Sequence, residues 1–298
     1  MTSTPLILRS LLFVPGNRAN MLQKALALRP DALVPDMEDS VPAEEKANAR
    51  RTVAAHIEAL AKTGCLVVPR VNAPDSGIME DDLAAVVSPS IFGISVGKIR
   101  SSQDIVRVSA VLGRLERRAG VEQGAVRIVP WLETAMGVVH AYDIASSSPR
   151  VAAVAFGAED LTNDLGVERT DDPAQLAYAR SAIATAAVAA DVPALDTPYF
   201  HLRDLDGLKR ECVLARRHGF RGKFAIHPEQ VETINDAFSP SHAEVAHARR
   251  VVEAFREAEA EGRGSLSLDG KVVDVPVMRR AQKLLDLAEA MGKQRPKP

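Results

Sequence analysis

The chain has 298 residues, 46% hydrophobic and only 4% aromatic, enough for one large α/β domain or one domain with an appendage. A formal net charge of −2 gives no electrostatic case for nucleic acid or an anionic membrane surface as a partner. Cys65 and Cys212 are the only cysteines; they make neither a disulfide framework nor a zinc cluster, and suit a reducing cytoplasm.

The N-terminal "MTSTPLILRS" lacks a basic segment and a long apolar core, so no signal peptide is expected. No apolar run reaches the length of about 18 residues needed to span a membrane. Short apolar runs then alternate with stretches of helical period. In chain order they are "LLFVPG" (11–16), "ALVPDME" (32–38), "CLVVPRV" (65–71) and "GISVGKI" (93–99). "VRIVPWLE" (126–133), "VAAVAFGAED" (151–160), "PALDTPY" (193–199) and "GKFAIH" (222–227) follow. Near-continuous Val, Ile, Leu and Ala suit parallel strands covered on both faces. Amphipathic segments such as "AEEKANARRTVAAHIEAL" and "DPAQLAYARSAIATAAVAA" separate them. Eight strand and helix units with right-handed crossovers predict an α/β fold, a (β/α)8 TIM barrel over residues 1–240. A doubly wound open sheet is the alternative, but no glycine fingerprint follows the first strand.

After "AFSPSHAEV" the pattern changes, and residues 241–298 predict a C-terminal helix–hairpin–helix extension. A charged helix begins at 241. Asp-Gly then sits between two short alternating runs in "GRGSLSLDGKVVDVPV", a strong hairpin signal. A last helix, "MRRAQKLLDLAEAMG", leads into a Lys/Pro tail expected to be disordered.

In a barrel the active site gathers where strands end and βα loops begin. The polar residues expected there are Asn17, Arg18, Asp36, Glu38, Asp39, Arg70, Asn72, Lys98, Glu133, Glu159, Asp160, Asp196 and His227. Glu133 and Asp160 are placed at the ends of consecutive strands, which lie about 4.8 Å apart. Two carboxylates without sulfur or imidazole suit a hard cation, most naturally Mg2+, completed by water or substrate oxygens. The same two acids also stand where they could cap the helices that follow, so both readings remain open.

Arg70 sits inside an apolar run, and its fork suits a bidentate grip on a carboxylate. A salt bridge to Asp36 or Glu38 is the alternative. The acids of "DMEDS" either orient Arg70 and metal-bound water or cap the helix starting near Pro42. Lys98 either neutralises the acids or extends to solvent. His227 is equally a local cap or a ligand, and Cys65, Cys212 and Trp131 read as packing residues. No Ser-His-Asp order is present, and no lysine ends strand six to form a Schiff base. That shifts weight toward a metal for enolate stabilisation.

Together, "RSLLFVPGNRANMLQKA", "DALVPDMEDSVPAEEKANAR", "VPRVN", "LETAMGV", "FGAEDLTNDLG" and "GFRGKFAIHPEQVETIN" resemble the citrate lyase beta-subunit-like family. This is a branch of the HpcH/HpaI aldolase and CoA-ester lyase superfamily, which also holds malyl-CoA and citramalyl-CoA lyases. The resemblance runs from about Arg9 to Asp274. It implies reversible carbon–carbon cleavage of a 3-hydroxyacyl-CoA to acetyl-CoA, or a homologue, and a 2-oxo acid. It also implies Mg2+, with Mn2+ as substitute, held by Glu133 and Asp160. Arg70 would hold the substrate and stabilise its developing charge. Arg18 and Lys24 would contact the CoA thioester, and Ile226 and His227 would line its pocket. Asp274 would exchange a proton with the acetyl methyl carbon from a segment acting as a lid on a neighbouring subunit. That implies a homo-oligomer, a trimer or hexamer.

Three features depart from the family pattern: "SVGKI" at strand four, Trp131 beside Glu133, and "LDTPYF", which is closer to citrate lyase beta subunits than to malyl-CoA lyases. Competing functions are a citrate lyase beta subunit acting on a citryl thioester of an acyl-carrier protein, a CoA-independent aldolase on free 2-oxo acids, and a non-catalytic binder.

Overall fold

The computed structural model describes residues 6–294. The first five residues and the tail beyond 294, for which disorder was expected, lie outside the described residues. Nine parallel strand segments are present: β1 (Ser10–Pro15), β2 (Ala32–Asp36), β3 (Leu66–Val67), β4 (Arg70–Val71), β5 (Gly93–Val96), β6 (Arg127–Leu132), β7 (Val154–Phe156), β8 (Ala194–Asp196) and β9 (Gly222–Ala225). β1 pairs with both β2 and β9, so the sheet closes on itself. β3 and β4 both pair with β2 and together form the third of eight staves. The expected single strand over 65–71 is thus interrupted at Val68 and Pro69, where the proline has no N–H to donate. The architecture is the predicted (β/α)8 barrel.

Alternation along the staves decides what enters the barrel. Leu11, Val34, Val129, Trp131, Ala155, Leu195 and Phe224 form one interior cluster with Phe13 packed against it. Trp131 lies 4.3 Å from the Phe224 ring and 5.7 Å from the Phe13 ring between centroids. Its indole N–H donates to Ser95 Oγ at 2.7 Å, which satisfies the one polar group an aromatic floor must bury. Two residues further along these staves stand Asp36, Arg70, Gly97, Glu133 and Gly157. The polar residues at the strand ends therefore continue the inward face of the barrel into its mouth.

Asp196 corrects that pattern. It follows the inward Leu195 and turns to the helical layer, where it accepts from Lys223 Nζ at 2.7 Å and from Arg180 Nε at 3.1 Å. Glu211 completes the group through Lys223 (2.7 Å) and Arg180 (3.0 Å). Asp196, Arg180 and Lys223 are buried. Charges in such a place persist only when each has a partner. Asp196 is a packing residue between strand and helix, not part of the mouth.

The helical layer follows the same amphipathic logic. Helix Ser102–Ala119 opens on a capping box formed by Ser101 and Asp104 and buries Ile105, Val108 and Leu112 on one face. Cys65 and Cys212 are free and buried, and burial pushes the Cys212 thiol up to about 12. No described helix is long and apolar enough to cross a membrane.

Among the described residues, contacts divide the chain into a barrel unit, Leu8–Asn235, and a second unit from Asp236 to Gln294 together with Leu6 and Ile7. In the second unit, helix His242–Ala260 opens on a Ser241/Glu244 capping box. Strands Leu266–Leu268 and Lys271–Val273 pair antiparallel, and helix Val275–Gln294 follows. Asp269 and Gly270 both have positive φ, 51° and 74°, as a type I′ hairpin turn requires. Val251, Phe255 and Val273 form this unit's own core.

Candidate active site

Glu133 directly follows β6 and is 2% exposed. It does not cap the helix that follows. Thr134 Oγ1 takes that role by accepting from Gly137 N–H, and Asp164 accepts from Ala135 N–H at 2.7 Å. Glu133 Oε1 accepts from the Lys98 N–H at 2.6 Å. Glycines of the two flanking staves hold the carboxylate from either side. A Cβ on Gly97 would stand 2.8 Å from Oε1, and one on Gly157 would stand 2.4 Å from Oε2. Only glycine at both positions leaves room for the acid. Burial, then the nearby Asp160 and Glu38 carboxylates, push Glu133 up to about 8.

Asp160 stands on the first turn of helix Ala158–Asp164, not at the end of a strand as the run over 151–160 suggested; β7 ends at Phe156. The helix dipole favours an acid there. Neighbouring Glu159 turns away to pair with Arg169. The Asp160 side chain makes no hydrogen bond or ion pair with any described residue. Burial is the main cause that raises its pKa, partly offset by Lys98.

On the opposite side, Asp36 grips Arg70 with both oxygens: Nε to Oδ1 and Nη2 to Oδ2, each 2.7 Å. Arg70 thus takes the salt-bridge alternative on one edge of its fork. Its Nη1 reaches Asp39 at 3.0 Å, and Asp39 is half exposed. The guanidinium lies 4.6 Å from the Phe13 ring centroid and 5.9 Å from that of Trp131. Burial works against this charge, but Asp36, with Glu38 and Asp39, more than offsets it and Arg70 is held firmly protonated. Asp36 also accepts the backbone N–H groups of Glu38 and Ser40, at 2.9 and 3.1 Å, and so shapes the "DMEDS" turn. Lys98 Nζ joins the cluster through Glu38 (2.8 Å) and Asp39 (3.2 Å), the neutralising alternative for that residue. Glu38 Oε2 is buried and makes no hydrogen bond.

Glu133, Asp160, Lys98, Thr134, Asp75, Arg100, Asn163 and Asp164 line a cavity of about 180 Å3. Among the described residues no group of three or more His, Cys, Asp or Glu is placed to hold a metal. Mg2+ asks for less, because it commonly takes one or two protein carboxylates and fills its octahedron with water and substrate oxygens. The residues fit that need. Asp160 raises the charge cost of Glu133, and the Lys98 and Arg70 side chains are hydrogen-bonded to other acids.

The other expected site residues are placed as follows. Arg18 precedes helix Ala19–Ala25 and Lys24 lies in its last turn, both exposed. Ile226 donates its N–H to Gln230 Oε1 at 2.9 Å. His227 acts as a local cap, with Nδ1 accepting from Glu229 N–H at 3.3 Å. None of these four lines the cavity. Asp274, in the second unit, caps the last helix through Val277 N–H at 3.1 Å. Trp131, which read as a packing residue, is buried under Arg70 as part of the floor. Asp82 and Gln230 were not anticipated. Asp82 is fully buried and holds Asn72 through N–H (3.0 Å) and Nδ2 (2.6 Å), while Gln230 Nε2 reaches the Tyr199 carbonyl at 2.8 Å. Acids in "MEDDL" look like solvated helix residues until the fold buries one of them.

The HpcH/HpaI aldolase/citrate lyase family model matches residues 9–228. The citrate lyase subunit beta of Haemophilus influenzae is 36% identical over 95% of this chain and 97% of its own length. The (3S)-malyl-CoA thioesterase of Cereibacter sphaeroides is 34% identical over 95% of each chain. The crystal structure of CitE from Mycobacterium tuberculosis, in complex with magnesium, acetoacetate and coenzyme A, superposes with a TM-score of 0.77 at 28% identity. It covers 94% of this chain and 98% of that one. A match over most of the barrel, by family model and by relatives alike, makes this chain a member of the HpcH/HpaI aldolase/citrate lyase family.

Proposed function

We propose that the protein is a Mg2+-dependent carbon–carbon lyase that reversibly cleaves a 3-hydroxyacyl-CoA of the malyl-CoA or citramalyl-CoA type. The products are acetyl-CoA or a homologue and a 2-oxo acid. The observation that carries this reading is the pair of carboxylates, Glu133 and Asp160, on one cavity without a bonded cation between them. The magnesium, acetoacetate and coenzyme A in the related CitE structure support it.

Glu133 and Asp160 would hold the cation; Mn2+ offers the same hard, oxygen-seeking chemistry. That group supplies positive charge where negative charge builds on the substrate oxygens. Arg70 adds a second, permanently charged donor. Asp36 fixes the guanidinium plane, and Nη1 is turned toward the half-exposed Asp39, where an incoming carboxylate can replace that acid. Arg18 and Lys24 would contact the CoA or its thioester end, and Ile226 and His227 would line that pocket. On cleavage the 3-hydroxyl would give up its proton to water and become the carbonyl of the 2-oxo acid, while the electrons of the broken carbon–carbon bond pass to the α-carbon of the thioester, which needs a proton to become a methyl group. Asp274 of a neighbouring copy in a homo-oligomer, a trimer or hexamer, would deliver it. Its place beside a hairpin suits a group that closes over a site.

Chelator-stripped protein, resupplied with Mg2+ and offered malyl-, citramalyl- and other 3-hydroxyacyl-CoA thioesters, should release a 2-oxo acid from at least one of them. Turnover confined to a citryl thioester on an acyl-carrier protein would make this a citrate lyase beta subunit. Free CoA without any 2-oxo acid would make it a thioesterase and overturn the lyase reading.

A further inference from the structure

Among the described residues three non-glycines have left-handed backbone: Asp191, Asp269 and Lys98. Asp269 lies in a hairpin turn and Asp191 just beyond a helix end, and aspartate tolerates this conformation because its short side chain bonds locally. Lysine gains no such relief. Lys98 nevertheless adopts φ 57° at the mouth of the barrel, two residues beyond β5.

The same residue contacts Glu133 through its main chain. The Lys98 N–H points back across the mouth and occupies Oε1 at 2.6 Å. Oε2 is left on the other side, beside Gly157 and the helix that carries Asp160. One oxygen is committed to the β5 side and the other lies beside Gly157, the residue that precedes the helix carrying Asp160. The Lys98 N–H takes one lone pair of Oε1, so Oε2 is the oxygen of this carboxylate best placed to meet a cation. The Lys98 side chain has separate duties, because its ammonium binds Glu38 and Asp39 and makes no hydrogen bond to Glu133.

We propose that Lys98 is a positioning residue whose left-handed backbone turns Glu133 into a single-oxygen cation ligand aimed at Asp160. The proposal rests on the magnesium reading above and deepens it. It assigns the requirement at position 98 to the main chain and not to the positive charge.

Four neutral substitutions separate the two. Lys98→Gly and Lys98→Asn tolerate positive φ, whereas Lys98→Met and Lys98→Val resist it, the β-branched valine most. All four remove the ammonium, so charge is constant across the series. The readout is Mn2+ affinity, followed by the loss of the free-ion electron spin resonance signal on titration, which needs no substrate and no turnover. Gly and Asn should bind Mn2+ at least about tenfold more tightly than Val, with Met between, a difference typical of one misplaced ligand contact. Circular dichroism checks folding; should the valine variant not fold, Met against Gly carries the comparison. Equal affinity across the neutral variants overturns the proposal. Wild-type protein that binds no Mn2+ overturns the metal site itself, a distinguishable result.

Discussion

Glu133 is surrounded by residues chosen for what they leave out. Gly97 and Gly157 have no side chain because the acid occupies the space, and Lys98 contributes its N–H where a strand would have continued. Gly157→Ala should therefore act on the site directly. Its Cβ would fall 2.4 Å from Oε2 and 2.6 Å from the Glu133 Cβ, so the acid must move. Overpacking of this kind costs about 1–3 kcal/mol, readable as a lower melting temperature, and Mn2+ affinity should fall with it. An alanine variant with unchanged affinity would mean that Glu133 has other room. At this scale the acids were legible in the sequence because a charge after an apolar run is informative. The glycines were not, since their role lies in contacts between staves distant in sequence. For Arg70 the sequence left a substrate grip and a salt bridge to Asp36 or Glu38 both open; that Asp36 takes one edge of its fork depended on the register Asp36 to Arg70 across β2 and β4.

At the scale of the element, all eight expected runs contain barrel strands, and most are shorter than the runs. The reason is local in each case: Pro69 interrupts the third, the left-handed Lys98 follows the fourth, and helix Ala158–Asp164 begins inside the sixth. Apolar continuity marks burial, and the first turn of a buried helix is as apolar as a strand. Asp196 was misread for the opposite reason, because alternation sends it outward to Lys223 and Arg180. Burial raises its pKa, but these two cations more than offset that and hold it below the usual carboxylate range. The stabilisation from a depressed carboxylate is complete above its unfolded pKa of about 3.9. It is lost as pH falls through the lower folded value. Asp196→Asn should cost about 3 kcal/mol near neutrality, as expected for breaking a buried pair. It should also flatten the loss of stability below about pH 4. Urea melts across pH would check both, and parallel profiles for the two proteins would remove Asp196 as a source of acid sensitivity.

At the scale of the molecule, closure of β1 onto β9 is what gathers loops from β5, β6 and β7 around one cavity. Strand count and strand–helix alternation made the barrel readable, and Asp-Gly made the hairpin readable, since both are local patterns. The proposed meeting of Arg18, Lys24 and His227 with Glu133 and Asp160 is a different matter. In the single chain these residues face solvent or cap their own turns, and Asp274 caps a helix. Their proposed roles need a CoA ester and a neighbouring copy, neither of which a linear pattern encodes.

The central claim is that Glu133 and Asp160 hold the cation at which the carbon–carbon bond is cleaved. The direct measurement is 2-oxo acid release from a 3-hydroxyacyl-CoA as Mg2+ is titrated into chelator-stripped wild type, Glu133→Gln and Asp160→Asn. Saturable activation of the wild type and at least a hundredfold loss in both variants, about 2.7 kcal/mol of transition-state stabilisation, is the predicted result. Release that is independent of Mg2+, or variants that respond to the cation as the wild type does, would contradict it.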